Sequence, residues 1–242
     1  MSRSEAPLAF FERLKESYDA APTGESVRKI RVAGRVVELR FRSRAVHDAL
    51  MPALGHLESG EPDAPEITLL AFDEISSRAK LPPTPWTLAD YQTRGLIDGY
   101  NDARFRTAFP LHAYALSMFD VHERVGVFAT RDISSLPITE SSAPLLMLFH
   151  WALTSPHLHL AHAAAVGDAG GGLLLTGRGG SGKSTTALAA LTRGMLYAGD
   201  DYCLIDVSKA ARAVSLFSSG KLDPWSRAHL PELAASLSPR IE

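Results

Sequence analysis

The sequence predicts an α/β protein, with a mixed α/β region over residues 1–140 and a second α/β core over residues 141–242. Two patterns predict this fold class. In the second region, short apolar runs alternate with one helical segment around a glycine-rich turn, as in α/β proteins. In the first region, strand patterns of period two alternate with helical ones. The chain has 242 residues, 45% of them hydrophobic, which suffices for a substantial core and excludes collagen, coiled coil and bulk disorder.

The first region begins with a short helical pattern formed by Phe10, Phe11, Leu14 and Tyr18. Apolar and polar residues then alternate on both sides of Gly34, which predicts a hairpin over 28–42. The stretch 76–93 contains three prolines and is expected to be an irregular connection. The other expected elements are a helix over 45–51, strands over 67–72, 114–119 and 124–130, and a helix over 143–153.

After the helix over 143–153, the second region contains four predicted strands and one further helix. Two apolar runs on either side of Gly-Asp-Ala-Gly-Gly predict strands over 162–166 and 172–176. The helix begins at Lys183 and ends at Arg193-Gly194, where glycine suits the left-handed position that follows a helix. Residues 196–198 and 203–207 predict the other two strands.

Charge and cysteine content exclude several classes of function. The chain has 25 Lys plus Arg against 27 Asp plus Glu, a net charge of −2, so no global basic field exists to hold nucleic acid or an anionic membrane. The single cysteine, Cys203, lies in an apolar run and is expected to be a buried thiol in a reducing compartment. No signal-peptide core and no membrane-length apolar stretch of about 20 residues occurs. We therefore expect a cytoplasmic protein with no nucleic-acid or membrane partner.

The strongest motif matches GxxxxGK[ST] and lies between a predicted strand and a predicted helix. Its glycines let backbone N–H groups turn inward around a polyphosphate, Lys183 supplies a positive charge to the β and γ phosphates, and the Ser184 hydroxyl binds Mg²⁺. The motif predicts a site for ATP with Mg²⁺. The residues expected to bind the nucleotide are Gly177, Arg178, Gly179, Gly180, Ser181, Gly182, Lys183, Ser184 and Thr185.

The same glycines also match GxGxxG, the motif of dinucleotide-binding proteins, and Asp200 lies about where such a fold keeps its ribose-binding acid. Lys183 and Ser184 favour the triphosphate interpretation, because a dinucleotide turn needs neither a lysine nor a hydroxyl there. A chance glycine-rich turn is the third interpretation.

The acidic pair Asp200-Asp201 follows Lys183 by only 17 and 18 residues, at the end of the next predicted strand. Two adjacent carboxylates near Mg²⁺ can divide the work, one holding the ion directly or through water and the other accepting a proton from an attacking hydroxyl. The alternative is an ordinary turn, in which Asp tolerates unusual backbone torsions.

Histidines and one lysine supply weaker candidates. His162 precedes Lys183 by 21 residues and is either structural or catalytic. A zinc site of His157, His159 and His162 is disfavoured, because the first two share a strand face that the third does not. Lys221, after Ser218-Ser219-Gly220, lies either in a solvated turn or close enough to reach phosphate.

The block from His162 to Asp201, 40 of the 242 residues, resembles the P-loop serine kinases related to HPr kinase/phosphorylase. The fold of these kinases is similar to that of ATP-dependent phosphoenolpyruvate carboxykinase. The matching residues are 162–166, 173–184, 193–194 and 199–201. The resemblance implies that Lys183 binds the phosphates, Ser184 binds the Mg²⁺, Asp201 is the general base with Asp200 as its neighbour, and His162 assists. Of the two acids, Asp200 is then the one expected at the Mg²⁺.

From this resemblance we expect an ATP-dependent kinase that phosphorylates a serine on a protein or peptide. The sequence is most similar to the uncharacterised bacterial branch of HPr-kinase-like proteins, some of which are associated with the processing of ribosomally made peptides. Residues 1–150 do not resemble the family's regulatory domain, so HPr is not the expected acceptor. The family's later acidic metal ligand has no counterpart before Glu242, so we expect truncation or completion by another subunit.

Two other questions stay open at this point. The rival function is a nucleotide-binding module or an ATPase without phosphotransfer. Residues 1–140 are expected either to shape acceptor recognition or to cover one face of the catalytic sheet. A homo-oligomer is compatible with the sequence, which does not specify an oligomeric state.

Overall fold

The computed structural model describes residues 5–60, 63–220 and 228–234 and divides the chain into two units, Met1–Thr154 and Ser155–Glu242. Both units combine helices with β-sheet, which confirms the expected mixed α/β class at that level. The boundary follows Thr154 rather than residue 140. Among the described residues, no helix is long and apolar enough to cross a membrane.

The first unit has a mixed sheet of six strands in its described part. Its strands are β1 (Ser26–Val32), β2 (Arg35–Phe41), β3 (Ile67–Asp73), β4 (Phe105–Ala108), β5 (Ala115–Asp120) and β6 (Val125–Thr130). They lie in the order β1-β2-β3-β6-β5-β4. The central strands β2, β3 and β6 run parallel, and the remaining pairs are antiparallel. Its helices are α1 (Ala6–Asp19), α2 (Arg44–Leu50), α3 (Glu74–Ser77), α4 (Ile138–Ser142) and α5 (Leu146–Leu153).

Helices cover both faces of this sheet. The apolar side of α1 packs on the face that carries Leu70 and Phe72. Leu148 of α5 packs on the opposite face, next to Gly126. A Cβ on Gly126 would lie 3.1 Å from Leu148 Cδ2 and 2.7 Å from Leu69 Cδ2. Alternate residues of one strand point to opposite faces, so a strand covered on both sides is apolar throughout.

The second unit contains two small sheets in its described part. The strands are β7 (Leu158–Ala161), β8 (Ala164–Asp168), β9 (Gly171–Leu175), β10 (Leu196–Gly199), β11 (Cys203–Asp206) and β12 (Arg212–Val214). One sheet has the order β10-β8-β9 and the other β12-β11-β7. All of their pairings are antiparallel, so β9 and β10 run in the same direction on either side of β8. The helices are α6 (Lys183–Leu191) and α7 (Pro231–Ala234).

Several local predictions are confirmed, and others need correction. The hairpin at Gly34, the helix at 45–51 and the left-handed Gly194, with φ of +82°, lie where the sequence predicts them. The expected strand at 162–166 begins only at Ala164, so His162 lies in the bend after β7. The helix expected from 143 begins at Leu146, because Ala143, which precedes Pro144, has non-helical torsions and Leu145 is left-handed, with φ of +60°.

Candidate nucleotide site

The glycine-rich loop, residues 176–182, connects the end of β9 to the start of α6. Gly182 caps α6 with φ of +85°, a left-handed conformation that a side chain would strain. Lys183 Nζ donates hydrogen bonds to the carbonyl oxygens of Gly177, at 3.0 Å, and Arg178, at 3.3 Å. The loop therefore folds around the lysine ammonium at the N-terminal end of a helix, where backbone N–H groups are unpaired.

Ser184 connects the first turn of α6 with the acidic turn that follows β10. Its hydroxyl donates to the Asp200 main-chain oxygen across 3.5 Å. The structure thus places the predicted metal-binding hydroxyl beside the predicted acidic pair, although 16 residues separate them in sequence.

The acidic turn, residues 199–202, is tight because its first residue has no side chain. A Cβ on Gly199 would lie 2.7 Å from the Tyr202 carbonyl oxygen, closer than real Cβ atoms come. The turn separates the two carboxylates. Asp200 is 3% exposed, whereas the Asp201 side chain is 52% exposed. Adjacent acids in the sequence therefore occupy different environments.

His162 and Asp201 form a direct contact. His162 Nε2 lies 2.7 Å from Asp201 Oδ1, and both side chains are about half exposed. The His162 ring stacks on Tyr202, with centroids 5.2 Å apart and an interplanar angle of 25°. Sequence reasoning selected His162 and Asp201 but missed Tyr202, whose only signal is its position directly after the acidic pair.

Tyr197, in β10, is a second residue that sequence reasoning missed. Its hydroxyl lies 2.9 Å from Asp200 Oδ1 and 3.0 Å from the Ser219 main-chain oxygen. Burial raises the pKa of Tyr197, and the charges of Asp200 and Asp201 raise it further, so the phenol stays protonated and acts as a donor. No motif marks this tyrosine in the sequence.

The donor set fits a nucleoside triphosphate with Mg²⁺. Within the described residues, no group of three or more His, Cys, Asp and Glu side chains could hold a metal ion. Mg²⁺ does not need such a group, because proteins bind it through one or two carboxylates together with substrate phosphates. Ser184, the acidic turn and the phosphates accepted by the glycine-rich loop would provide these ligands.

Two other sequence candidates lie apart from this cluster or outside the described residues. His157 and His159 stand in or beside the edge strand β7, where both are exposed. Lys221 lies outside the described residues. Cys203 is fully buried, as expected, and burial raises the pKa of its thiol to about 11, so it is not a nucleophile at neutral pH.

A comparison of the sequence with protein-family models and with curated proteins found no match.

Proposed function

We propose that this protein is an ATP-dependent, Mg²⁺-requiring phosphotransferase, a serine kinase that acts on a protein or peptide. One observation carries the proposal: the turn whose main chain meets the Ser184 hydroxyl also presents the Asp201 carboxylate, 2.7 Å from His162. The proposed phosphate cradle follows β9, the metal-binding hydroxyl lies in the first turn of α6, and the accessible base lies in the turn after β10. The resemblance of this block to HPr kinase-like proteins supports the same chemistry and the corresponding P-loop core.

Binding of the triphosphate depends on the glycine-rich loop and Lys183. The Lys183 ammonium now donates to the carbonyl oxygens of Gly177 and Arg178. On binding, it would donate to phosphate oxygens instead, which are negatively charged and therefore stronger acceptors. The Ser184 hydroxyl would help to hold the Mg²⁺, which when bound would supply charge neutralisation at the phosphates.

Asp201 would accept the proton of the serine hydroxyl as its oxygen attacks the γ-phosphorus, while the bond from that phosphorus to the β–γ bridging oxygen breaks and ADP leaves. Its side chain is half exposed, so a protein substrate can reach it, whereas Asp200 is buried. His162, in contact with Asp201 Oδ1, would orient the carboxylate. Catalysis would rest mainly on position and charge neutralisation, because the phosphoryl group itself needs little covalent assistance.

A nucleotide-binding module or an ATPase without an acceptor is the second candidate function. The observation that favours it is the burial of Asp200, whose carboxylate is hydrogen-bonded to Tyr197 rather than presented to solvent. Under this alternative Mg²⁺-ATP binds, and no serine is phosphorylated.

Calorimetry of the whole chain with ATP and Mg²⁺ tests the nucleotide site. We expect Lys183→Ala to abolish tight binding, since the Lys183 ammonium lies within the loop, 3.0 Å from the Gly177 carbonyl oxygen. Lys209→Ala is the matched control, because it removes an exposed lysine from the same unit. Equal affinity of Lys183→Ala and the unmodified protein would contradict the proposal, and preference for NAD would favour the dinucleotide alternative.

Transfer of labelled γ-phosphate to a library of serine-containing peptides tests the second part of the proposal. Mg²⁺-ATP binding with labelled serine would support the kinase. Binding with phosphate released only to water would support the ATPase.

A further inference from the structure

Tyr197 joins two parts of the second unit that are far apart in sequence. Its hydroxyl lies between Asp200 Oδ1, at 2.9 Å, and the Ser219 carbonyl oxygen, at 3.0 Å. Both oxygens are acceptors, so the phenol is the donor in each of these contacts. The phenol therefore holds the carboxylate and the 215–220 segment together.

The 215–220 segment is packed against the same elements. Leu216 is fully buried and Phe217 is 3% exposed. A Cβ on Gly220 would lie 3.1 Å from Leu188 Cδ2 in α6 and 3.6 Å from the Tyr197 hydroxyl. At Gly220 the segment thus lies close to both Leu188 of α6 and the Tyr197 hydroxyl.

The carboxylate that Tyr197 contacts belongs to the acidic turn. Asp200 is 3% exposed, and its main-chain oxygen meets the Ser184 hydroxyl. Asp200 therefore contributes its main-chain oxygen to the contact with Ser184 and its carboxylate to the contact with Tyr197. Partners that hydrogen-bond a metal-site carboxylate fix its orientation, and their loss typically weakens metal affinity by about 10–100-fold.

We infer that Tyr197 is a positioning residue that fixes the Asp200 carboxylate for Mg²⁺ and ties the 215–220 segment to the acidic turn. The inference rests on the proposed function, because it concerns the metal of that site. Tyr197 does not touch the nucleotide under this assignment. Its removal should change the metal requirement and leave the metal-independent part of nucleotide binding intact.

The experiment uses the whole chain with Tyr197→Phe, which removes only the hydroxyl. Tyr100→Phe is the matched control, because Tyr100 is a buried tyrosine of the first unit. ATP binding is measured by calorimetry over a series of Mg²⁺ concentrations and again in EDTA. We expect the half-saturating Mg²⁺ concentration to rise by about 10–100-fold in Tyr197→Phe, with ATP affinity in EDTA unchanged.

Two further measurements separate positioning from a loss of structure. In an Asp200→Asn background, Tyr197→Phe should have no additional effect on the Mg²⁺ requirement, because the two residues act through one carboxylate. Hydrogen exchange of the amides in 216–220 should be faster in Tyr197→Phe than in Tyr100→Phe, even without metal. The melting temperature monitors folding of each variant.

The outcomes distinguish this inference from the proposed function. If the unmodified protein binds ATP with a Mg²⁺ requirement that Tyr197→Phe leaves unaltered, the inference is overturned and the proposed function stands. A Tyr197→Phe variant that loses ATP affinity equally with Mg²⁺ and in EDTA also overturns it, since the effect would then be structural. If the unmodified protein shows no Mg²⁺-dependent ATP binding at all, both fail.

Discussion

The end of the first unit can be tested by cutting the chain at two places. A fragment that ends at residue 154 keeps α5, whereas a fragment that ends at residue 140 loses it. Leu148, Phe149 and Leu153 of this helix are fully buried, and Ala152 is 4% exposed. We expect fragment 1–154 to fold and fragment 1–140 to lose its tertiary structure.

The expected magnitude follows from the side chains that α5 buries. Burial of a Leu or Phe side chain stabilises a protein by about 1.5–3 kcal/mol, so three such residues contribute about 5–9 kcal/mol. Total stabilities are about 5–15 kcal/mol. Arg35 Nη1 adds hydrogen bonds to the carbonyl oxygens of Ala152, at 3.2 Å, and Leu153, at 3.4 Å, which fix the end of the helix. Loss of α5 therefore removes most of the stability of an average domain.

Near-ultraviolet circular dichroism and thermal melting of the two purified fragments give the measurement. Phe149→Ala in fragment 1–154 is an intermediate case, with an expected cost of about 3–5 kcal/mol. A cooperative melt of fragment 1–140 at the temperature of fragment 1–154 would refute the packing argument, and so would failure of both fragments to fold.

The remaining predictions concern the acidic turn and one ion pair. Asp201→Asn should lower the rate of phosphate transfer to a serine peptide by about 10²–10⁴-fold and leave ATP affinity unchanged, since it removes the base. Asp200→Asn should instead raise the Mg²⁺ requirement, and the opposite pattern would exchange the two roles. Asp120→Asn should cost about 2 kcal/mol in chemical denaturation at pH 7, because Arg104 donates to Asp120 Oδ2 at 2.9 and 2.7 Å. Burial raises the pKa of Asp120, but the bonds from Arg104 and two backbone N–H groups outweigh it and lower that pKa, so the difference between variant and unmodified protein should shrink below about pH 4.

Local patterns predicted most of the longer elements of the first unit. Alternation on both sides of Gly34 is a property of neighbouring residues, and it identified β1 and β2. The strands β4, β7 and β12 were missed, whereas β10 and β11, which are equally short, were predicted from their apolar residues. β4 and β12 pair with β5 and β11, their neighbours along the chain, whereas β7 pairs with the distant β11, with Ala161 opposite Cys203.

The boundary between the regions shows a different limit. The sequence pattern identified a helix ending at residue 153, but not which unit its apolar side packs on. Packing depends on complementary shapes, such as the space that Gly126 leaves for Leu148. This information is absent from the spacing of apolar residues in the helix itself.

In the candidate site, the parts that were predictable are those whose chemistry is contiguous in sequence. The glycine-rich loop, Lys183 and Ser184 form one motif, and the acidic pair follows within 18 residues of Lys183. Tyr197 and Tyr202 were not predictable, because their roles arise from contacts with Asp200, Ser219 and His162. What a tyrosine contributes to a site depends on which groups its hydroxyl and its ring contact.

The acidic turn explains why two identical neighbouring residues can have different roles. A Cβ on Gly199 would lie 2.7 Å from the Tyr202 carbonyl oxygen. The backbone of this turn therefore has little room for other torsions. Asp200 is therefore fixed inward, where burial makes an unpartnered carboxylate costly and Tyr197 supplies a donor. Asp201 is fixed outward, where it meets His162 and remains accessible. The backbone at Gly199, rather than any difference between the two side chains, thus separates a carboxylate suited to positioning from one suited to proton transfer.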